Sequence, residues 1–96
     1  MNRKQRRAGR AKGELDTTAF VKVADKFIDL ANRENRKIPA TQLHMAFAYA
    51  SARYSAFVAK HILNVENHEE FVEHMIKEYS DMLRQHLADD ALDSSV

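Results

Sequence analysis

The sequence predicts an all-α fold, an antiparallel three-helix bundle preceded by a disordered basic N-terminal arm. Its 96 residues are 45% apolar, which suffices for one small core but not for two. Two glycines and one proline are too few for the turns of a sheet, whereas three stretches repeat apolar residues at the helical period. We predict a disordered arm over residues 1–14, a three-helix domain over 15–88 with helices at about 16–34, 39–63 and 67–88, and a frayed acidic tail over 89–96.

The first predicted helix carries one apolar stripe and has a clear start and end. Asp16 is its predicted N-cap, because a short acidic side chain there accepts hydrogen bonds from the first free backbone N–H groups. The helix should stop between Asn32 and Asn35, since Ile38 precedes Pro39 and a residue before proline avoids the helical conformation. The stripe predicted to face the core comprises Phe20, Val23, Ala24, Phe27, Ile28, Leu30 and Ala31.

The second predicted helix starts near Pro39 and is nearly uncharged on all sides. The stripe predicted to face the core comprises Leu43, Ala46, Phe47, Ala50, Tyr54, Phe57, Val58 and His61. Small side chains opposite the stripe permit close helix approach, and a three-helix bundle covers only about half of a central helix. We therefore predict self-association, with a second copy in a homodimer or another protein as partner, through Met45, Ala48, Ala52, Ser55, Ala56 and Ala59. The alternative is a solvated face, since alanine also occurs there as the best helix former.

The third predicted helix begins at a capping box formed by Asn67 and Glu70. Its apolar stripe then runs to about Ala88, with charged residues on the opposite side. The stripe comprises Phe71, Val72, Met75, Ile76, Tyr79, Met82, Leu83, His86 and Leu87. The short connections between the three helices favour antiparallel neighbours.

The net charge of +1 conceals a basic arm and an acidic body. Six of the 15 basic residues lie in residues 1–12, which contain no acidic residue. Residues 13–96 therefore contain the other nine basic residues and all 14 acidic residues, and their formal net charge is −5. Such an arm is typical of nucleic-acid contacts, and RNA or the ribosome is the predicted partner in this alternative function. The other interpretation is that these basic residues only increase the solubility of the protein. The nucleic-acid candidates are Arg3, Lys4, Arg6, Arg7, Arg10 and Lys12.

Two stretches, Ala24–Asn32 and Ala50–Val58, occur in this order around a short connection that contains a proline. They resemble a small all-helical bacterial domain family of unknown function, and the resemblance covers roughly residues 17–85. It implies no activity and no functional residue. The opening Met1–Ala8 is similar to the starts of many otherwise unrelated bacterial proteins.

No catalytic or metal-binding motif is found, and we predict that the chain is not an enzyme. His68 and His74 are six residues apart, whereas a His-Glu-x-x-His zinc motif needs both imidazoles one turn apart. His61, His68 and Glu70 could converge only by tertiary contact, and the alternative is surface histidines with His61 and His86 partly buried. We expect no catalytic residue, metal, cofactor or small-molecule substrate.

Arg53 is the single formal charge between Leu43 and Ala59. A buried guanidinium would need acceptors such as Glu34, whereas one at the margin of the helix would reach water. The chain has no cysteine, no apolar run of membrane-spanning length and no apolar segment after its charged start. We therefore expect a cytoplasmic protein without a membrane partner.

Overall fold

A computed structural model describes residues 16–93 of the chain, and three α-helices lie in that range. They are α1 (Thr17–Glu34), α2 (Ala40–His61) and α3 (His68–Leu87), followed by a 3-10 turn over Asp90–Asp93. No strand occurs among these residues, so the all-α class with three helices is confirmed. Each helix begins and ends within two residues of its predicted bounds. The antiparallel arrangement of the bundle stays a prediction.

Of the two predicted terminal segments, one lies wholly and the other partly outside the described residues. The disordered basic arm over 1–14 lies wholly outside them, as do residues 94–96 of the predicted tail. In the rest of the tail, Asp90–Asp93 forms the 3-10 turn, and fraying of this end stays a prediction. The Asp89 carboxylate accepts a hydrogen bond from the backbone N–H of Ala91 at 2.9 Å, and the Asp89 carbonyl accepts from Leu92 at 3.0 Å. These local hydrogen bonds stabilise a turn that the spacing of apolar residues does not predict.

Each helix starts at a residue that suits the free backbone N–H groups of a first turn. For two helices it is a short polar side chain that accepts a hydrogen bond, and for the other it is a proline. Asp16 Oδ1 accepts from the Ala19 N–H at 2.8 Å, and Asn67 Oδ1 accepts from the Glu70 N–H at 3.1 Å. Both predicted N-caps are therefore confirmed. Pro39 immediately precedes α2, and its carbonyl accepts the first backbone hydrogen bonds of that helix, so its missing N–H leaves no bond unmade.

α2 ends in a tight turn built on asparagine instead of glycine. Asn64 has a φ of 51°, in the left-handed region that asparagine tolerates better than most residues. Val65, which follows, donates to the Ala59 carbonyl six residues earlier at 2.9 Å. This hydrogen bond brings the backbone of the α2–α3 connection back against the last turns of α2.

The chain divides into two compact units, Met1–Ala50 and Ser51–Val96, and their boundary lies within α2. In the described part of the first unit, the rings of Phe27 on α1 and Phe47 on α2 lie 6.5 Å apart between centroids, tilted by 38°. This separation suits an aromatic pair. The half-buried residues of this unit are Ala19, Ala31, Glu34, Ile38 and Leu43.

The second unit has a small interior at the end of α2 and the start of α3. Ala59 is 6% exposed and is the one buried residue among residues 16–93. Ser55 is half-buried and lies one turn before it on the same side of the helix, and the adjacent Val58 is half-buried as well. The other half-buried residues of this unit are Val65, Phe71, Met75 and Ser80.

Candidate functional site

The predicted self-association surface on α2 is only partly available to a partner. Four of its members are exposed, namely Met45, Ala48, Ala52 and Ala56. Ser55 is half-buried and Ala59 is buried in the second unit, so Ala59 does not present its side chain to another molecule. The other predicted surface comprises Arg3, Lys4, Arg6, Arg7, Arg10 and Lys12 and lies outside the described residues.

In the second unit, α2 turns part of the side predicted to meet a partner inward, because Ser55 is half-buried and Ala59 is buried, whereas Ala52 and Ala56 are exposed. Ser55 and Ala59 are small, so the connection after Asn64 can approach the helix closely on their side. Tyr54 and Phe57, predicted to face the core, are 69% and 50% exposed. The predicted inward stripe is therefore wrong for these two residues, and it is also wrong for Ala46, Phe47 and Ala50, which are exposed in the first unit. The available signals in the sequence were an asparagine just after the helix, a residue type that tolerates the left-handed conformation, and the small residues Ser55 and Ala59.

The exposed rings of the second unit form a ladder along α2. The Tyr54 and Phe57 centroids are 6.2 Å apart with an interplanar angle of 26°, and those of Phe57 and His61 are 5.2 Å apart at 39°. Arg53 and Lys60 flank these rings in the sequence, and both are exposed. We call these five residues the aromatic ladder. Its position on the surface was missed because its rings follow the helical period expected of a core.

The apolar stripe of α1 is also exposed along most of its length. Phe20 is 60% and Phe27 is 55% exposed, although Phe27 pairs with Phe47. Four further members of the predicted core stripe are exposed, namely Val23, Ala24, Ile28 and Leu30. The amphipathic pattern of α1 is therefore present, but these residues are not buried as predicted.

The apolar stripe of α3 is also mostly exposed, except near the start of the helix. Phe71 and Met75 are half-buried and lie one turn apart. The remaining apolar members of its predicted stripe are exposed: Val72, Ile76, Tyr79, Met82, Leu83 and Leu87. His86 is exposed as well, and so is His61 on α2, so the expectation that these two histidines are partly buried is wrong.

The ion pairs of the described residues lie on the outer side of α3. Lys77 Nζ lies 2.7 Å from Asp81 Oδ2, and Arg84 Nη1 lies 3.4 Å from Asp81 Oδ1. The hydrogen bond from Lys77 lowers the pKa of Asp81 and raises that of Lys77. All three side chains are well exposed to water, so this network is a weak stabiliser of the helix and not a binding site.

The histidines and, apart from the half-buried Glu34, the carboxylates among residues 16–93 are exposed. Arg53 is exposed, which fits a guanidinium that reaches water and not a buried one. Among residues 16–93, no three histidines or carboxylates are grouped closely enough to hold a metal ion. Within the same residues, no helix is both long enough and apolar enough to cross a bilayer.

The chain matches the family described as "Protein of unknown function (DUF3144)" over residues 20–91. Because this match covers 72 of the 96 residues, the chain belongs to that family. The resemblance drawn from Ala24–Asn32 and Ala50–Val58, to a small domain family of unknown function, is thereby confirmed. No curated protein and no solved structure matches the chain.

Proposed function

We propose that this member of the DUF3144 family is a helical protein–protein interaction domain that self-associates, with a second copy covering apolar residues that one chain leaves exposed. The observation that carries the proposal is the burial pattern. Among residues 16–93 only Ala59 is buried, although α1 and α3 each carry a well-formed apolar stripe. Folded chains gain most of their stability by removing such stripes from water, so helices that leave them exposed need a partner.

The exposed apolar area of α1 alone is a large part of the area that a stable dimer interface buries on each chain. Phe20 and Phe27 expose more than half of their surface, and with Val23, Ile28 and Leu30 the stripe presents on the order of 450 Å² of side chain. A stable interface of standard size buries about 800 Å² on each partner. One helix therefore supplies more than half of what a second copy needs to bury.

The exposed small side of α2 also belongs to the proposed interface. Met45, Ala48, Ala52 and Ala56 allow a neighbouring helix to approach closely, because their side chains are short or flexible. None of the four is charged, so covering them requires no buried ion pair. Ala59 is left out, because it is already buried in its own chain.

Sedimentation equilibrium of the full-length protein tests the proposal. We expect a mass of about 22 kDa, twice the 11.0 kDa of one chain, over most of the range from about 1 to 100 μM. A mass of one chain at every concentration would contradict self-association. A mass of four chains, or of another even number of chains, would still support self-association and would change only the number of copies.

A second candidate function is nucleic-acid binding through the basic arm, favoured by six cations within residues 1–12. If each cation neutralises one phosphate, log K falls with log salt with a slope of roughly −5 for a duplex, and affinity drops about a thousandfold between 50 and 200 mM salt. No aromatic residue lies among these cations, so the arm alone would bind without sequence preference. Retained binding after deletion of residues 1–12 would exclude the arm.

We extend the proposal to a non-enzymatic role in the cytoplasm. Proton transfer by paired carboxylates needs acidic side chains that project into a cleft, whereas the acidic residues considered for it are exposed on the helices: Asp25, Asp29, Glu70, Glu73 and Asp81. The cysteine-free sequence is compatible with a reducing compartment.

A further inference from the structure

The proposed self-association needs more apolar area than the stripe of α1 provides. That stripe presents on the order of 450 Å², whereas a stable interface buries about 800 Å² on each chain. α3 carries a second exposed stripe, which comprises Val72, Ile76, Tyr79, Met82, Leu83 and Leu87. Since α3 exposes six such side chains and α1 exposes five, the two stripes together present on the order of 1,000 Å² per chain.

The carboxylates beside the α3 stripe oppose its pairing with the same stripe of another copy. At about 100° per residue, Glu73 lies about 40° beyond one edge of the stripe, and Glu78 lies about 20° beyond the other edge. Lys77 and Arg84 lie farther from the stripe, and both contact Asp81 on the outer side of the helix. Because both margins are acidic, a two-fold pair of α3 helices would bring carboxylates together whether the helices run parallel or antiparallel.

α1 carries cations beside its own stripe. Lys22, Lys26 and Arg33 are exposed and lie within about 40° of one another on one flank, whereas Asp25 and Asp29 lie on the other flank. Since both margins of α3 are acidic, one of them faces these cations in either orientation of the two helices. The helices also match in length, because 18 residues in α1 and 20 in α3 span about 27 and 30 Å.

The net charges of the two compact units are opposite. Residues 1–50 contain 11 basic and five acidic residues, a net charge of +6, and residues 51–96 contain four basic and nine acidic residues, a net charge of −5. For the described residues alone, the net charge is +1 over 16–50 and −5 over 51–93. Contact between the first unit of one copy and the second unit of another therefore brings opposite charges together, whereas contact between two second units brings like charges together.

We propose that self-association is reciprocal, with the α1 stripe of each copy packed against the α3 stripe of the other copy. This inference rests on the proposed self-association and specifies which surface of the second copy covers each stripe. A two-fold axis relates the two contacts, so the dimer is closed and both stripes of both chains are covered.

Cross-linking of single-cysteine variants tests the pairing, since the chain has no cysteine of its own. Ile28→Cys places a thiol on the α1 stripe and Tyr79→Cys places one on the α3 stripe, both at exposed positions near the middle of their helices. A flexible bismaleimide is added to each full-length variant alone and to their equimolar mixture, in which one variant carries an affinity tag. We expect a two-chain product that contains both variants in the mixture, and little two-chain product from either variant alone.

The matched control replaces Ile28→Cys with Asp29→Cys in the same mixture. Asp29 is adjacent in sequence and exposed, but it lies about 180° around the helix from Phe20 at the centre of the stripe. This mixture should give little two-chain product. Equal yields with Ile28→Cys and Asp29→Cys would show that the cross-link does not report packing of the α1 stripe and would overturn the pairing.

Sedimentation equilibrium separates failure of the pairing from failure of self-association. Because opposite charges attract across the proposed contacts, the dissociation constant of the wild type should rise several-fold between about 50 and 500 mM NaCl. If the wild type has a mass of two chains, the pairing is overturned by a dissociation constant that falls with salt, by no product in the mixture, or by as much product from one variant alone. A mass of one chain at every concentration would overturn both the pairing and the proposed function.

Discussion

Replacing Phe20 with glutamate should shift the protein from the self-associated form to single chains. Phe20 is 60% exposed on the α1 stripe, and covering a phenylalanine side chain contributes about 1.5–3 kcal/mol. A symmetric dimer covers two such rings, and the variant also places two carboxylates where water is excluded. We therefore expect the dissociation constant to rise by a factor of about 100 or more, measured by sedimentation equilibrium.

Thr18→Glu is the matched control for this variant. Thr18 is exposed in the same turn of α1, about 160° around the helix from Phe20, so its variant adds the same charge away from the stripe. Its dissociation constant should stay within a few-fold of the wild-type value. Equal weakening by both substitutions would show that added charge, and not the α1 stripe, determines the effect.

Enlarging Ala59 to leucine should destabilise the second unit. Ala59 is 6% exposed, and its carbonyl accepts the hydrogen bond from Val65 that closes the turn after α2. Added side-chain volume at a packed position forces neighbouring groups apart and typically costs 1–3 kcal/mol. We expect the free energy of unfolding, measured with urea at one fixed protein concentration, to fall by about that amount.

Ala50→Leu provides the comparison, because Ala50 lies on the same helix, is exposed and is not part of the proposed interface. It introduces the same side chain with the same helix propensity, so its effect on unfolding should be below about 0.5 kcal/mol. If Ala59→Leu were as mild as Ala50→Leu, Ala59 would not be packed inside its own chain. Its place in the predicted self-association surface would then be restored.

The helices themselves were predictable because their signals are local. Asp16 and Asn67 cap the helices that follow them, and Pro39 stands directly before α2, as their side-chain chemistry predicts. The periodicity of α1 and α3 also placed their apolar residues on one side. These features depend on residues within one or two turns, which a single sequence displays in full.

The side of α2 that turns inward was not predictable from periodicity. A hydrophobic pattern assigns the larger side chains, such as Tyr54 and Phe57, to the interior, whereas here the small Ala59 is the buried residue. That outcome depends on the left-handed Asn64 and on the hydrogen bond from Val65, which bring the next segment against the small side. The degree of exposure of the stripes is likewise a tertiary property, and neighbouring residues do not encode it.

The concentration dependence of thermal unfolding tests most directly whether the exposed stripes are covered by a second copy. A dimer of the described helices unfolds with an enthalpy of about 110 kcal/mol at about 0.7 kcal/mol per residue, so its Tm should rise by roughly 9 °C for each hundredfold increase in concentration. The full-length protein should show this rise in circular dichroism between about 1 and 100 μM. A Tm that stays constant over that range would show that each chain folds alone and would contradict the account.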